Sequence, residues 1–427
     1  MPKHFITPLI FLLLLLFSIV FNQAIAEETL LWQDCIKEAQ KNHPDLISAA
    51  ESINEKKASK GVTTSGLFPQ VDATASASTT KKETNSSTTT TDSYSYGVSA
   101  SQLIFDGFST INDMKAASEN VEAARQNYRF TSSQIRLNLR TAFVNLLRAQ
   151  ELIKVTKEII EIRSKSLDLI KLRYQSGLEH KGALLTAEAN LAQAKFELSQ
   201  AKREVELAQR QLTKEMGRKE LRPIYATGDF TVTDIAENKP DFEDLVKKHP
   251  SVLKAFAEKK AAAFNVKSSY GSFMPQVTGT ASGDKADSHW SPRNDQYSLG
   301  VSLSMPIFDG GLLVSEASKA KALYRKAEED ERSTRDAAIV NLEQTWIDLK
   351  DSIETVGVQR KSLEAAEERS KIAEAQYSTG FVSFDNWIII QNDLVLAKKT
   401  YLQAQTNALF SEASWIQAKG ETLEYAQ

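Results

Sequence analysis

The sequence predicts a mainly α chain with a small β part, in which long antiparallel coiled-coil helices accompany four β-strands of membrane-crossing length. Three observations predict it. The chain is two copies of one unit. Its 17 Gly and 10 Pro are so unevenly placed that very long helical runs go uninterrupted. Four short segments alternate apolar with small polar residues.

The duplication rests on landmarks that recur in order. His43-Pro44 returns as His249-Pro250 and Pro69-Gln70-Val71 as Pro275-Gln276-Val277, both 206 residues on. Gly97-Val98-Ser99, Ile104-Phe105-Asp106-Gly107, the Tyr174–Gly177 segment and Gly217 return 203 residues on, as Gly300-Val301-Ser302, Ile307-Phe308-Asp309-Gly310, Tyr377–Gly380 and Gly420. One loop is therefore three residues shorter in the second copy. The expected organisation is a signal over 1–26, a first repeat over 27–217, a connector over 218–248, a second repeat over 249–420 and a tail over 421–427.

Residues 1–26 read as a secretory signal, with a polar start at Lys3 and His4, an apolar run from Leu9 to Phe21, and a small-x-small site at Ala24-Ile25-Ala26. No later stretch reaches 18 consecutive apolar residues, so no further membrane helix is expected. Each repeat opens with a helix of roughly 20 residues, Pro44 to Gly66 and Pro250 to Gly271, with Pro in the first turn. Two strands joined by a polar loop follow. The alternation is clearest from Tyr297 to Met305, where Tyr, Leu, Val, Leu and Met face away from Ser, Gly, Ser and Ser. Tyr94 to Ser101 repeats it, and segments from Val71 and Val277 carry it more weakly. Each is about the 9–11 residues that cross a bilayer as a tilted strand. The connecting loops are expected at Lys81 to Asp92 and Asp284 to Asp295, with Tyr94 and Tyr297 at the loop ends of their strands.

Two long helices complete each repeat. Phe108 to Ser176 holds 69 residues without Gly or Pro, roughly 100 Å of helix at 1.5 Å per residue. Leu139, Leu146, Ile153, Ile160, Leu167 and Tyr174 fall seven apart, as do Leu342, Leu349, Val356, Leu363, Ser370 and Tyr377. After the turn, Leu184 to Leu212 keeps the same period, and Ala187, Ala194, Ala201 and Ala208 stand three residues beyond its first four members. A Leu/Ala seam at period 3.5 lets antiparallel neighbours approach closely in a left-handed supercoil. Asp106 and Asp309, at the strand-to-helix junctions, are expected as helix caps.

Charge and residue counts exclude several function classes. Lys plus Arg is 52 against 55 Asp plus Glu, which offers no bulk positive field for a nucleic acid. The single Cys35 precludes an intramolecular disulfide framework and is expected to be buried. No two of the five His stand at metal-ligand spacing, and no nucleophile triad, phosphate loop or cofactor motif is present, so neither metal, cofactor nor catalysis is expected. Four strands cannot close a barrel alone, and an open sheet edge in lipid leaves backbone groups unpaired. Three chains would give twelve strands with a small polar lining, an open lumen.

Two hairpins, Phe-Asp-Gly before a very long helix, Tyr-x-x-Gly at its far end and direct duplication resemble the TolC-type outer membrane efflux proteins over Leu30 to Gly420. The resemblance implies a homotrimer: a 12-stranded β-barrel in outer membrane lipid above an α-helical periplasmic tunnel. Leu30 to Asn42 and Arg218 to Lys248 would form its equatorial belt. It also implies a passive exit duct for a tripartite efflux pump or type I secretion system, serviced by a periplasmic adaptor and an inner-membrane transporter. Small molecules, metal ions and polypeptides all use this architecture. The periplasmic tips, where such ducts close and dock, map to the turns at Gly177 and Gly380. Arg173, Tyr174 and Gln175 would line the first tip, and Gln376, Tyr377 and Ser378 the second. The chain departs from the family in its acidic rings: Asn386 and Ile389 stand where Asp is found, and Asp385 is one position early, about 100° around a helix. Two other classes compete. A trimeric coiled-coil stalk without channel activity explains the heptads but not two hairpins, and a periplasmic adaptor would need lipoyl-like β-domains that are not seen.

Overall fold

The computed structural model describes residues 28–230 and 239–424. The expected signal over 1–26 lies outside them, as do residues 231–238 of the connector and 425–427 of the tail. In chain order the elements are β1 (Glu28–Leu30), α1 (Trp32–Asn42), α2 (Pro44–Ser65), β2 (Gln70–Thr84), β3 (Ser87–Phe105), α3 (Ser109–Gln175), α4 (Lys181–Glu215) and β4 (Ile224–Ala226). Then come α5 (Phe242–Val246), α6 (Pro250–Gly271), β5 (Gln276–Asp287), β6 (Asn294–Ser304), α7 (Leu312–Thr379) and α8 (Phe384–Ala418). The chain divides into two compact units. One holds the chain up to Ile47, Ser132–Asp241 and everything from Asn341; the other holds Ser48–Thr131 and Phe242–Val340. No described helix is long and apolar enough to cross a membrane.

In the second unit the four long strands form one antiparallel sheet in the order β2-β3-β5-β6. The two hairpins join through β3 and β5, so β2 and β6 are its open edges. Leu299, Val301 and Leu303 of β6 are exposed in the single chain. The expected loops are corrected here. Lys81 to Asp92 is not a loop: β2 and β3 pair on to Thr84 and Ser87 across a two-residue turn. Likewise β5 reaches Asp287 and β6 starts at Asn294. The first pair is thus 15 and 19 residues long, beyond the expected 9–11. Threonine favours extended backbone, and a strand with polar residues on both faces shows no alternation to detect. Thr79 donates to Asp92 across this stretch, at 2.8 Å. The Asp caps hold: Asp106 accepts from the Thr110 N–H at 2.8 Å, and Asp309 from the N–H groups of Gly311 and Leu313, both at 2.9 Å. His-Pro has a function in the turn as well. The buried His249 imidazole accepts from the Ser251 N–H and so caps α6, whose first residue is Pro250.

In the first unit, β1 and β4 form a two-stranded parallel sheet. Gln150 of α3 holds β4 by accepting from and donating to the backbone of Ala226. Arg218 clamps two carboxylates, Glu28 at 2.7 Å and Glu38 at 2.6 Å, and these raise its pKa further. Cys35 is fully buried, which pushes its thiol up to about 12. The alanine seam of α4 is buried along its length: Ala187, Ala194, Ala201 and Ala208. In α7 the expected seam is buried at Leu342, Leu349, Ser370 and Tyr377. In α3 it starts at the buried Leu139 and Leu146 but drifts outward, and Tyr174 is exposed. The buried line there becomes Ala142, Ala149, Thr156, Arg163 and Ile170, also seven apart.

Candidate functional site

The site is built at the two turns that reverse the long helices, α3 into α4 and α7 into α8. Both turns close in the same way. Gly177 N–H donates to Tyr174 C=O (3.0 Å) and Leu178 N–H to Arg173 C=O (2.8 Å). In the second repeat Gly380 N–H donates to Tyr377 C=O (3.1 Å) and Phe381 N–H to Gln376 C=O (2.9 Å). This paired closure needs a left-handed residue, and Gly177 and Gly380 adopt φ of 73° and 84°. The next helices start on side-chain caps: His180 Nδ1 accepts from the Ala183 N–H at 3.1 Å, and the Ser383 hydroxyl from the Asn386 N–H at 3.5 Å.

The two tips meet within one chain. Tyr377 is buried and stacks on Trp387, with centroids 4.3 Å apart and planes at 8°. Ile170, Ala183, Ala187, Ala373 and Phe384 pack in the same cluster. The Tyr377 hydroxyl donates to Glu179 Oε2 at 2.7 Å. Arg173 donates to the Tyr377 and Ser378 carbonyls at 3.1 and 3.4 Å, and its guanidinium stands 4.8 Å from the Tyr377 ring centroid. Burial first, and then the Glu179 carboxylate, raise the pKa of the Tyr377 phenol above its ordinary value. The phenol therefore stays a donor.

Of the expected tip residues, the structure brings together Arg173 and Tyr377. Gly177 and Gly380 make the turns. Tyr174, Asp385 and Asn386 are exposed, the last two in the first turn of α8 with no side-chain bond to the first tip. Trp387 belongs to the same cluster, and Ile388 and Ile390 pack against it. Sequence reasoning missed Glu179 and the cap at His180. The signal for Glu179 was available, because it is the only carboxylate between Gly177 and Ala183. The repeats are unlike at these positions. Arg173 and Glu179 match Gln376 and Val382 in the second copy, and Trp387 matches Leu184 in the first. One tip supplies charge and the other the aromatic stack.

The outer membrane efflux protein family profile matches residues 35–218 and 242–421. The chain belongs to the outer membrane efflux protein family. It is 21% identical over 408 residues to the outer membrane efflux protein BepC of Brucella suis, covering 94% of this chain and 88% of that one. It is 22% identical over 407 residues to the outer membrane protein TolC of Escherichia coli, covering 90% and 79%. Its fold matches the crystal structure of the outer membrane protein VceC of Vibrio cholerae with a TM-score of 0.79 at 19% identity, over 92% of this chain and 96% of that one. The chain is accordingly a non-enzymatic efflux channel of the outer membrane, with its long helices in the periplasm. The family is one of trimeric outer membrane channels in efflux pumps.

Proposed function

We propose that this chain is a homotrimeric exit duct, gated where its helix tips meet in the periplasm. Three four-stranded sheets close one twelve-stranded barrel, which leaves no edge of β2 or β6 unpaired in lipid. A periplasmic adaptor engages the tips and an inner-membrane transporter supplies the energy, so the duct itself stays passive. The observation that carries the gate is the contact of Arg173 and Glu179 with Tyr377: it ties the first helix pair to the second. Opening moves the pairs apart and has to break these bonds. The test is the resting conductance of the purified channel in a planar bilayer. Tyr377→Ala is expected to raise it; conductance equal to the wild type would remove the gate from this position. Asp385 has no partner on the first tip, so Asp385→Ala is expected to change conductance less than Tyr377→Ala.

A further inference from the structure

We propose that α4 of one copy packs against α7 of the next through a defined stripe, in a register set by Arg210 facing Asp351. This rests on the homotrimer proposed above and names the faces that meet. On α4, Leu185, Phe196 and Leu207 are spaced 11 apart and remain 53–57% exposed in the single chain. Eleven residues are about three turns plus 20°, so the three stand on one line along the helix. Arg203 and Arg210, 18 and 25 residues from Leu185, fall on the same line, at about five and seven turns. Phe196 is two residues from the buried Ala194, about 200° around the helix. The stripe is therefore opposite the face that α4 already buries. In a ring of helices, that is where the second neighbour lies.

A matching stripe stands on α7. Ile347, Val358 and Ile372 are 46–60% exposed, and Ala365 lies between the last two. Asp351 and Glu354 lie on or beside this line. No described ion pair engages Arg203, Arg210, Asp351 or Glu354. Other contacts already tie α8 to the helices of the first repeat: Lys399 of α8 reaches Glu197 of α4 at 2.8 Å, and Asn392 accepts from Arg163 of α3 at 2.6 Å.

Symmetry fixes the register. Copies related by rotation keep each residue at its own height along the axis, and the tips of α4 and α7 are tied together within each chain. Residues equally far from the tips therefore meet. Phe196 is 16 residues past His180 and Ala365 is 15 before Gly380, which sets a large ring opposite a small residue. Arg210 is 30 residues past His180 and Asp351 is 29 before Gly380. Arg203, 23 residues up, comes within reach of Glu354, 26 up. Two arginines on one stripe come within reach of two carboxylates on the other, and nearer the tips Phe196 meets the small Ala365. A second copy fits this surface by charge as well as by shape.

The test is a cysteine pair, Phe196→Cys with Ala365→Cys, in the full-length channel in its membrane. Cys35 is buried and stays silent. Oxidation is expected to link most chains into covalent dimers and trimers. The pair Ala194→Cys with Ala365→Cys, at similar heights but on the buried face of α4, is expected to stay monomeric on a denaturing gel. Arg210→Glu is expected to lower the temperature at which the trimer dissociates, and adding Asp351→Arg to restore it. A stable trimer that leaves both thiols of the first pair unlinked and open to a bulky thiol reagent would overturn the stripe, and would show the surface free for a different protein. A monomer by light scattering would remove the homotrimer along with it.

Discussion

At the scale of single residues, the tip depends on one phenol. Tyr377→Phe keeps the stack on Trp387 but removes the hydrogen bond to Glu179. A bond to a charged group contributes about 1.5–3 kcal/mol, so amide exchange in the last turns of α7 is expected to rise by one to two orders of magnitude. Exchange unchanged from the wild type would mean that the bond does not hold the tip. The raised pKa of Tyr377 gives the sign of its pH dependence. The folded tip holds the proton more tightly than the unfolded chain, so this contribution is complete below the ordinary tyrosine value of about 10 and is lost as the pH rises beyond it. His249 titrates the other way. Burial lowers its pKa from 6.5, and its neutral ring caps α6. Its contribution is therefore complete above about pH 6.5 and declines as the pH falls below that. His249→Asn retains a capping side chain without the ring. Acid unfolding of this variant is expected to lose part of the wild-type slope below pH 6.5; an identical slope would assign the slope elsewhere.

At the scale of elements, the alanines of α4 set how closely its neighbour can approach. Ala201 is fully buried. Ala201→Leu overfills that seam and is expected to cost about 1–3 kcal/mol, seen as a lower unfolding temperature by circular dichroism; an unchanged midpoint would show slack in the seam. This seam was legible in the sequence because small residues at period 7 carry the packing. The α3 seam was legible only in part. Its distal buried line includes Thr156 and Arg163, polar residues that a hydrophobic pattern passes over. Hence Tyr174 read as an equivalent of Tyr377, whereas the structure exposes one and buries the other. The length of β2 and β3 was hidden for the opposite reason, since their outer halves are polar on both faces. The turns at Gly177 and Gly380 could be read directly, because a left-handed closure demands glycine at a fixed offset from Tyr. Glu179 could not be paired with Tyr377 from periodicity, which relates neighbours along a helix but not side chains 198 residues apart.

At the scale of the whole molecule, duplication explains most of the architecture. One unit of short helix, hairpin and helix pair, used twice, provides a four-stranded sheet and four long helices. Divergence between the copies then made the tip asymmetric, with Arg173 and Glu179 in one and Tyr377 and Trp387 in the other. A pair of second tips would have lacked the carboxylate that accepts from the Tyr377 hydroxyl, and a pair of first tips the Trp387 ring on which Tyr377 stacks. The open edges of β2 and β6 make a single chain incomplete in a membrane, and in the proposed homotrimer other copies complete the sheet into a pore. The most direct measurement is therefore single-channel recording from the purified, detergent-extracted protein in a planar bilayer, wild type beside Tyr377→Ala. The expected result is a step of defined size from a membrane-inserted trimer, small in the wild type and larger in the variant. Equal steps would contradict the tip lock, and a protein that never inserts would contradict the shared barrel itself.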